Sequence, residues 1–144
     1  MNIAFFLTPK KEIIYEKLTH TMRQAMERME YHRYSAIPIL DKEGKYVGTL
    51  TEGDLLWKLK NDENLNFKDA ENIFISDINL HVKNKPVHID EDIGHLVETS
   101  IDQNFVPVVD DNNVFIGIIK RSDIINYFHN LLYRKIDVGA WTIK

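Results

Sequence analysis

Residues 36–56 read AIPILDKEGKYVGTLTEGDLL, and residues 105–125 read FVPVVDDNNVFIGIIKRSDII. The two stretches align without a gap: Pro38 with Pro107, Asp41 with Asp110, Gly48 with Gly117 and Asp54 with Asp123 share an offset of 69 residues. Apolar positions keep the same offset, Ile37 with Val106, Ile39 with Val108, Tyr46 with Phe115 and Leu55 with Ile124. Self-similarity in a fixed register marks a tandem repeat, so function is to be sought in what two copies of one unit make together.

Outward from these stretches, each copy reads as strand, helix, strand, strand, helix. In the first, Thr21 and Gln24 have the spacing of a capping box, and Met22, Ala25, Met26 and Met29 form an apolar stripe at helical spacing, a core face or a dimer seam. In the second, the offset predicts Asp90 as the cap, followed by Ile93, Leu96, Val97 and Ile101. AIPIL and FVPVV are short apolar strands with Pro38 and Pro107 near their starts, where a missing N–H is tolerated. DKEGK and DDNNV read as hairpin turns in which Gly44 and Asn113 take positive φ. Gly48 and Gly117 interrupt the return strands, as glycines do where a ligand or another chain segment comes close. The last helices begin DLLWKL and DIINYF, and the apolar segments IAFFLTP and IFISDI lead into the two copies.

This pattern divides the chain into a first repeat with its leading segment (1–60), a polar linker (61–72), a second repeat (73–130) and a tail (131–144). Trp141 predicts that the tail packs, on a dimer partner or on the chain itself. A unit this small does not bury two helix stripes and a sheet alone, which is the physical reason for two copies.

Of the 144 residues, 44% are apolar and 28% charged, as in an ordinary soluble globular protein. The apolar runs are too short to span a bilayer and nothing resembles a signal peptide, so the expected location is the cytoplasm. Without cysteine there is no disulfide, thiolate nucleophile or thiolate metal ligand. A net charge of −4 with both signs interspersed argues against a nucleic-acid footprint, so any anionic ligand must be held by local groups. The six histidines lack the spacing of a helical metal pair, and neither a nucleophile with its base nor a metal set is evident.

The order helix, h-P-h-h-D, turn, h-h-G-h-h-[ST]-x-x-D, helix, present twice, resembles the CBS domain in its tandem form, the Bateman module. GTLTEGD in the first copy is its most specific element. The resemblance implies an α/β (α+β) fold of two βαββα repeats related by a pseudo-two-fold axis, disk-like homodimers, and adenosine-containing ligands in clefts between the halves. It also implies a regulatory role without chemistry. LTPKKEIIY is similar to small free-standing bacterial CBS proteins, some of which are receptors for cyclic di-AMP.

The motif residues suit an adenine nucleotide on chemical grounds. Asp54 and Asp123 fall in a first helical turn, and a carboxylate there accepts two hydrogen bonds from a ribose diol, though either alone reads better as a capping residue. Thr51 offers a hydroxyl beside free N–H groups suited to phosphate. Ala36, Ile37 and Pro38 in one copy, and Phe105, Val106 and Pro107 in the other, offer an apolar slot for adenine. In the second copy Lys120, Arg121 and Ser122 bring two cations to the helix start, a stronger phosphate clamp than Glu52 allows in the first, or else a solvated pair. The resemblance adds Ile13, Ile14 and Tyr15, with Pro86, Val87 and His88 as their counterparts.

The expected function is therefore a regulatory sensor of AMP, ADP or ATP that changes conformation or assembly on binding. A cyclic di-AMP receptor and a ligand-free dimerisation module are the alternatives. The expected partners are a nucleotide, a second copy of the chain and an unidentified target protein, with no nucleic acid, membrane, required cofactor or metal. Weak hydrolysis of the bound nucleotide is a further reading, for which no catalytic residue is named.

Overall fold

The computed structural model describes residues 1–139, with side chains through Arg134, so Trp141 lies outside the described residues. The first unit runs β2 (Glu16–Lys17), α1 (Met22–His32), β3 (Ala36–Leu40), β4 (Tyr46–Thr51) and α2 (Glu52–Asn61). The second runs β5 (Val87–His88), α3 (Ile93–Ser100), β6 (Phe105–Val109), β7 (Phe115–Lys120) and α4 (Arg121–Gly139). Thr8–Pro9 forms β1, ahead of both. Each unit has a short strand parallel to its central strand and an antiparallel hairpin beyond it, giving sheets of order β2-β3-β4 and β1-β7-β6-β5. This is the expected βαββα unit, twice. Gly44 (φ 81°) and Asn113 (φ 63°) make the two hairpin turns, as their residue types predict. α4 runs through residue 130 without a break.

The repeat register holds in the hairpins and slips before them. Glu16 pairs with Ile39 as Val87 pairs with Val108, an offset of 71 in the short strands against 69 in the central ones. The cap of α3 is accordingly Asp92, whose Oδ1 accepts from the His95 N–H at 2.8 Å, and not Asp90. A shorter second helix, eight residues against eleven, absorbs the difference. Met29 therefore corresponds to the buried Ser100, whose hydroxyl donates to the Val97 carbonyl, while Ile101 is 67% exposed.

α1 begins with the predicted box. Thr21 Oγ1 accepts from the Gln24 N–H (3.2 Å) and Gln24 Oε1 accepts from the Thr21 N–H (2.8 Å). Thr21→Ala removes the oxygen that satisfies a helix-end donor and should lower stability by about 1 kcal/mol, read from the denaturant midpoint at unchanged slope.

Each leading segment completes the opposite unit. The 3₁₀ turn Ile3–Phe6 sets Ile3 and Phe6 into the second core, with Val87, Leu96, Val106, Val108, Ile119 and Ile124. Ala70, Ile75 and Ile78, which precede the second unit, lie in the first core with Met22, Ala25, Met29, Ile37, Ile39, Leu50 and Leu55. β1 pairs with β7, Thr8 opposite Ile118 and Pro9 opposite Gly117, and Val82 bridges Thr49. The two repeat glycines are where these crossings occur. A Cβ on Gly48 would stand 3.0 Å from Leu80 Cδ1, and one on Gly117 only 2.3 Å from the Thr8 carbonyl oxygen. The close approach expected at both glycines is therefore to another segment of the chain.

Candidate functional site

The two motif aspartates occupy different surroundings, and the residue three places before each accounts for part of the difference. In the first unit Thr51 is the cap of α2 and Asp54 its partner in a capping box. Thr51 Oγ1 accepts from the Asp54 N–H (3.1 Å), and Asp54 Oδ2 accepts from the Thr51 N–H (3.0 Å). The other oxygen, Oδ1, lies 2.6 Å from His81 Nδ1 and accepts from the His81 N–H at 3.3 Å. Asp54 is 2% exposed. The Thr51 hydroxyl, expected to face phosphate, is engaged in its own helix cap.

In the second unit Lys120 stands where Thr51 stands in the first, and its ammonium cannot accept the reciprocal bond. Asp123 is exposed, and among the described residues its carboxylate has no hydrogen-bond partner. Lys120 and Ser122 are exposed beside it. Arg121 is turned away from that role: Nη1 donates to the Ile101 carbonyl (3.2 Å) and Nη2 to Asn104 Oδ1 (2.5 Å), tying the start of α4 to the end of α3.

Between the units lies a third cluster, Leu40, Phe115 and Ile118, with Ile13, Tyr15, Tyr46 and Phe105 half-buried against it. Ile13 and Tyr15 from the first leading segment thus pack on the same cluster as Phe105 from the second unit. Strand alternation sorts the remaining expected residues. Ile14 packs on the first core; Ile37 lies within it, and Val106 and Val87 lie in the second, so these four line cores. Pro38 and Pro107 are buried, and Ala36 is half-buried. Lys10, which the motif reading passed over, sits on the turn Lys10–Glu12 that packs against β7, with Nζ 5.2 Å from the centre of the Tyr15 ring.

Tyr46 pins the seam. Its hydroxyl accepts from the Asn84 N–H (3.0 Å) and is hydrogen-bonded to the Thr49 hydroxyl (2.7 Å), and burial pushes its ionisation up from the ordinary phenol value. Tyr46→Phe leaves the Asn84 N–H without that partner and should cost about 1–2 kcal/mol, measured by thermal unfolding. His88, adjoining the buried Val87, points outward. Ligand atoms of His88, Asp90 and Asp111 lie within 4.8 Å of one another, all on exposed residues. The three come together because β5 runs beside β6 and its hairpin turn.

The family model of the CBS domain matches residues 6–61 and 75–130. An uncharacterized protein of Methanopyrus kandleri is 24% identical over 81% of this chain, and the inosine-5'-monophosphate dehydrogenase of Methanocaldococcus jannaschii 29% over 80%. The chain spans 58% and 21% of the length of these two relatives. Among solved structures, CbpB in complex with c-di-AMP superposes with a TM-score of 0.82 at 24% identity, covering 95% of this chain and 90% of that one. A CBS-domain protein of Streptococcus pneumoniae gives 0.77 at 27%, with 89% and 86% covered. CBSX2 in complex with AMP gives 0.69 at 18%, with 90% and 97% covered.

Proposed function

Since the chain belongs to the CBS-domain family, we propose that it is a regulatory sensor of an adenine nucleotide, with Asp123 as its ribose-binding group. The observation that carries this reading is the inequality of the two aspartates. Asp123 is exposed at the first turn of α4 beside Lys120, in the unit whose Phe105 shares an apolar cluster with Ile13 and Tyr15. An acceptor for a diol, apolar side chains for a base and cations for phosphate then belong to one region. Lys120 and Lys10 supply the charge in place of Arg121. AMP and cyclic di-AMP share the adenosine that this chemistry recognises, and each is bound by a structural neighbour of this chain.

The role is regulatory and not enzymatic: binding favours one arrangement of the two units, and a target protein reads that state in the cytoplasm. Among the described residues no helix is long and apolar enough to cross a membrane. The functional unit is a homodimer formed through the α3–α4 face. Ile101, Ile125, Phe128 and Leu132 are exposed there around an apolar hollow of about 470 Å³. Ile125→Glu should convert dimer to monomer in light scattering; an unchanged mass would remove this face from the assembly.

Calorimetric titration of the purified protein with AMP, ATP and cyclic di-AMP tests the sensor. At least one should bind with micromolar affinity and raise Tm as its concentration exceeds Kd. No heat and no shift with all three would leave a ligand-free interaction module, to be pursued through its protein partner.

A further inference from the structure

We propose that His81 is a built-in occupant of the first cleft, so that the folded chain offers one adenosine site, at Asp123, and keeps the other closed. The inference rests on the nucleotide reading above for the second cleft and on local geometry for the first. Both Asp54 oxygens are committed, Oδ2 to the Thr51 N–H and Oδ1 to the backbone and imidazole of His81. A ribose diol approaching Asp54 meets the imidazole first. The contact is not a surface accident, because the chain on either side of His81 is anchored: Leu80 lies over Gly48, and the Thr49 N–H donates to the Val82 carbonyl at 2.8 Å.

The surroundings point the same way. The hollow beyond the pair, about 600 Å³, is lined by Asp54, Asp62, Glu63 and Asp77 together with His81 and Lys58. Lys58 is already turned to Asp62, with Nζ 3.9 Å from Oδ2. An acidic mouth repels phosphate. Opened, the first cleft would take a nucleoside in preference to a nucleotide, whereas the cations of the second favour the nucleotide. The residue that makes this difference between two copies of one motif is a histidine supplied by the segment joining them.

The test uses adenosine and AMP as probes, with wild type, His81→Ala, Asp123→Ala and the double variant compared by calorimetry. Wild type should bind one AMP per chain. Asp123→Ala should bind both probes about a hundredfold more weakly than wild type, and the double variant should gain adenosine binding at least about tenfold over Asp123→Ala. Two AMP per chain in wild type, or no gain of adenosine affinity in the double variant, would overturn the inference. Should wild type bind no AMP while His81→Ala takes adenosine, the sensor reading at Asp123 falls and the occupied first cleft stands. One AMP per chain with no effect of His81→Ala has the opposite meaning. Melting curves confirm that the variants fold, and His81→Val, which has no side-chain donor, serves if alanine does not.

Discussion

Asp123→Ala is expected to weaken nucleotide binding about a hundredfold and change stability by less than about 1 kcal/mol; Asp54→Ala is expected to do the reverse. The two residues occupy equivalent places in a repeated motif, so the contrast isolates their surroundings. Asp123 is exposed and unpartnered among the described residues, so its removal takes from the folded protein only the favourable placement of a carboxylate near a helix start. On the proposed reading, it takes from the complex two charge-assisted hydrogen bonds, each worth about 1.5 kcal/mol or more. Asp54 is buried and closes a capping box while holding His81. Its removal should cost about 3 kcal/mol, from the lost cap and from donors left without an acceptor. Affinity by calorimetry and Tm by calorimetric scan separate the two effects. If Asp54→Ala abolished binding at unchanged Tm, the roles assigned to the two units would be exchanged.

Gly117→Ala should destabilise the protein by about 3 kcal/mol and lower Tm by roughly 10 °C, whereas Gly48→Ala should cost less than about 1 kcal/mol. The two glycines are also equivalent by sequence, and again the neighbours differ. At Gly117 the added methyl would lie 2.3 Å from the Thr8 carbonyl oxygen and 3.1 Å from Pro9 Cα, which are backbone and do not rotate away. Relief requires β1 to lift from β7, and with it the anchor of Ile3 and Phe6 in the second core. At Gly48 the nearest atom is the tip of Leu80, a flexible side chain that can turn aside. Amide exchange at β7 should report the difference directly, with protection falling at Ile118 in Gly117→Ala and unchanged at Thr49 in Gly48→Ala. Equal destabilisation by both substitutions would mean that the β1 crossing is not held as described.

The hairpins, helices and turns were legible because local chemistry determines them. Gly44 and Asn113 are the residue types that tolerate positive φ, and Thr21 with Gln24 forms the box that the spacing implies. The slip in the repeat was legible as well, in a signal other than the identities. The apolar stripe runs Met22 to Ile93, Ala25 to Leu96 and Met26 to Val97 at an offset of 71, and following it would have placed the cap at Asp92. What the pattern could not carry is contact between distant segments. Nothing in IAFFLTP says that Ile3 and Phe6 belong to the opposite unit, because burial alone is what an apolar run encodes. The motif likewise marks Asp54 and Asp123 as equals, and only the fold sets His81 against one of them. Arg121 reads as a phosphate ligand from its neighbours in sequence, yet the Ile101 carbonyl and Asn104 hold it.

The exchanged leading segments also govern the order in which the molecule can be finished. The first core lacks Ala70, Ile75 and Ile78 until the chain beyond α2 has been made, so a growing polypeptide stopped at residue 61 holds an incomplete unit. Residues 3–9 wait longer still, since β1 finds its partner only when Ile118, 110 residues further along, has emerged. Contacts so distant in sequence close late and slowly. Residues 3–9, made before either unit, are among the last to dock, and the native state is locked when they reach β7.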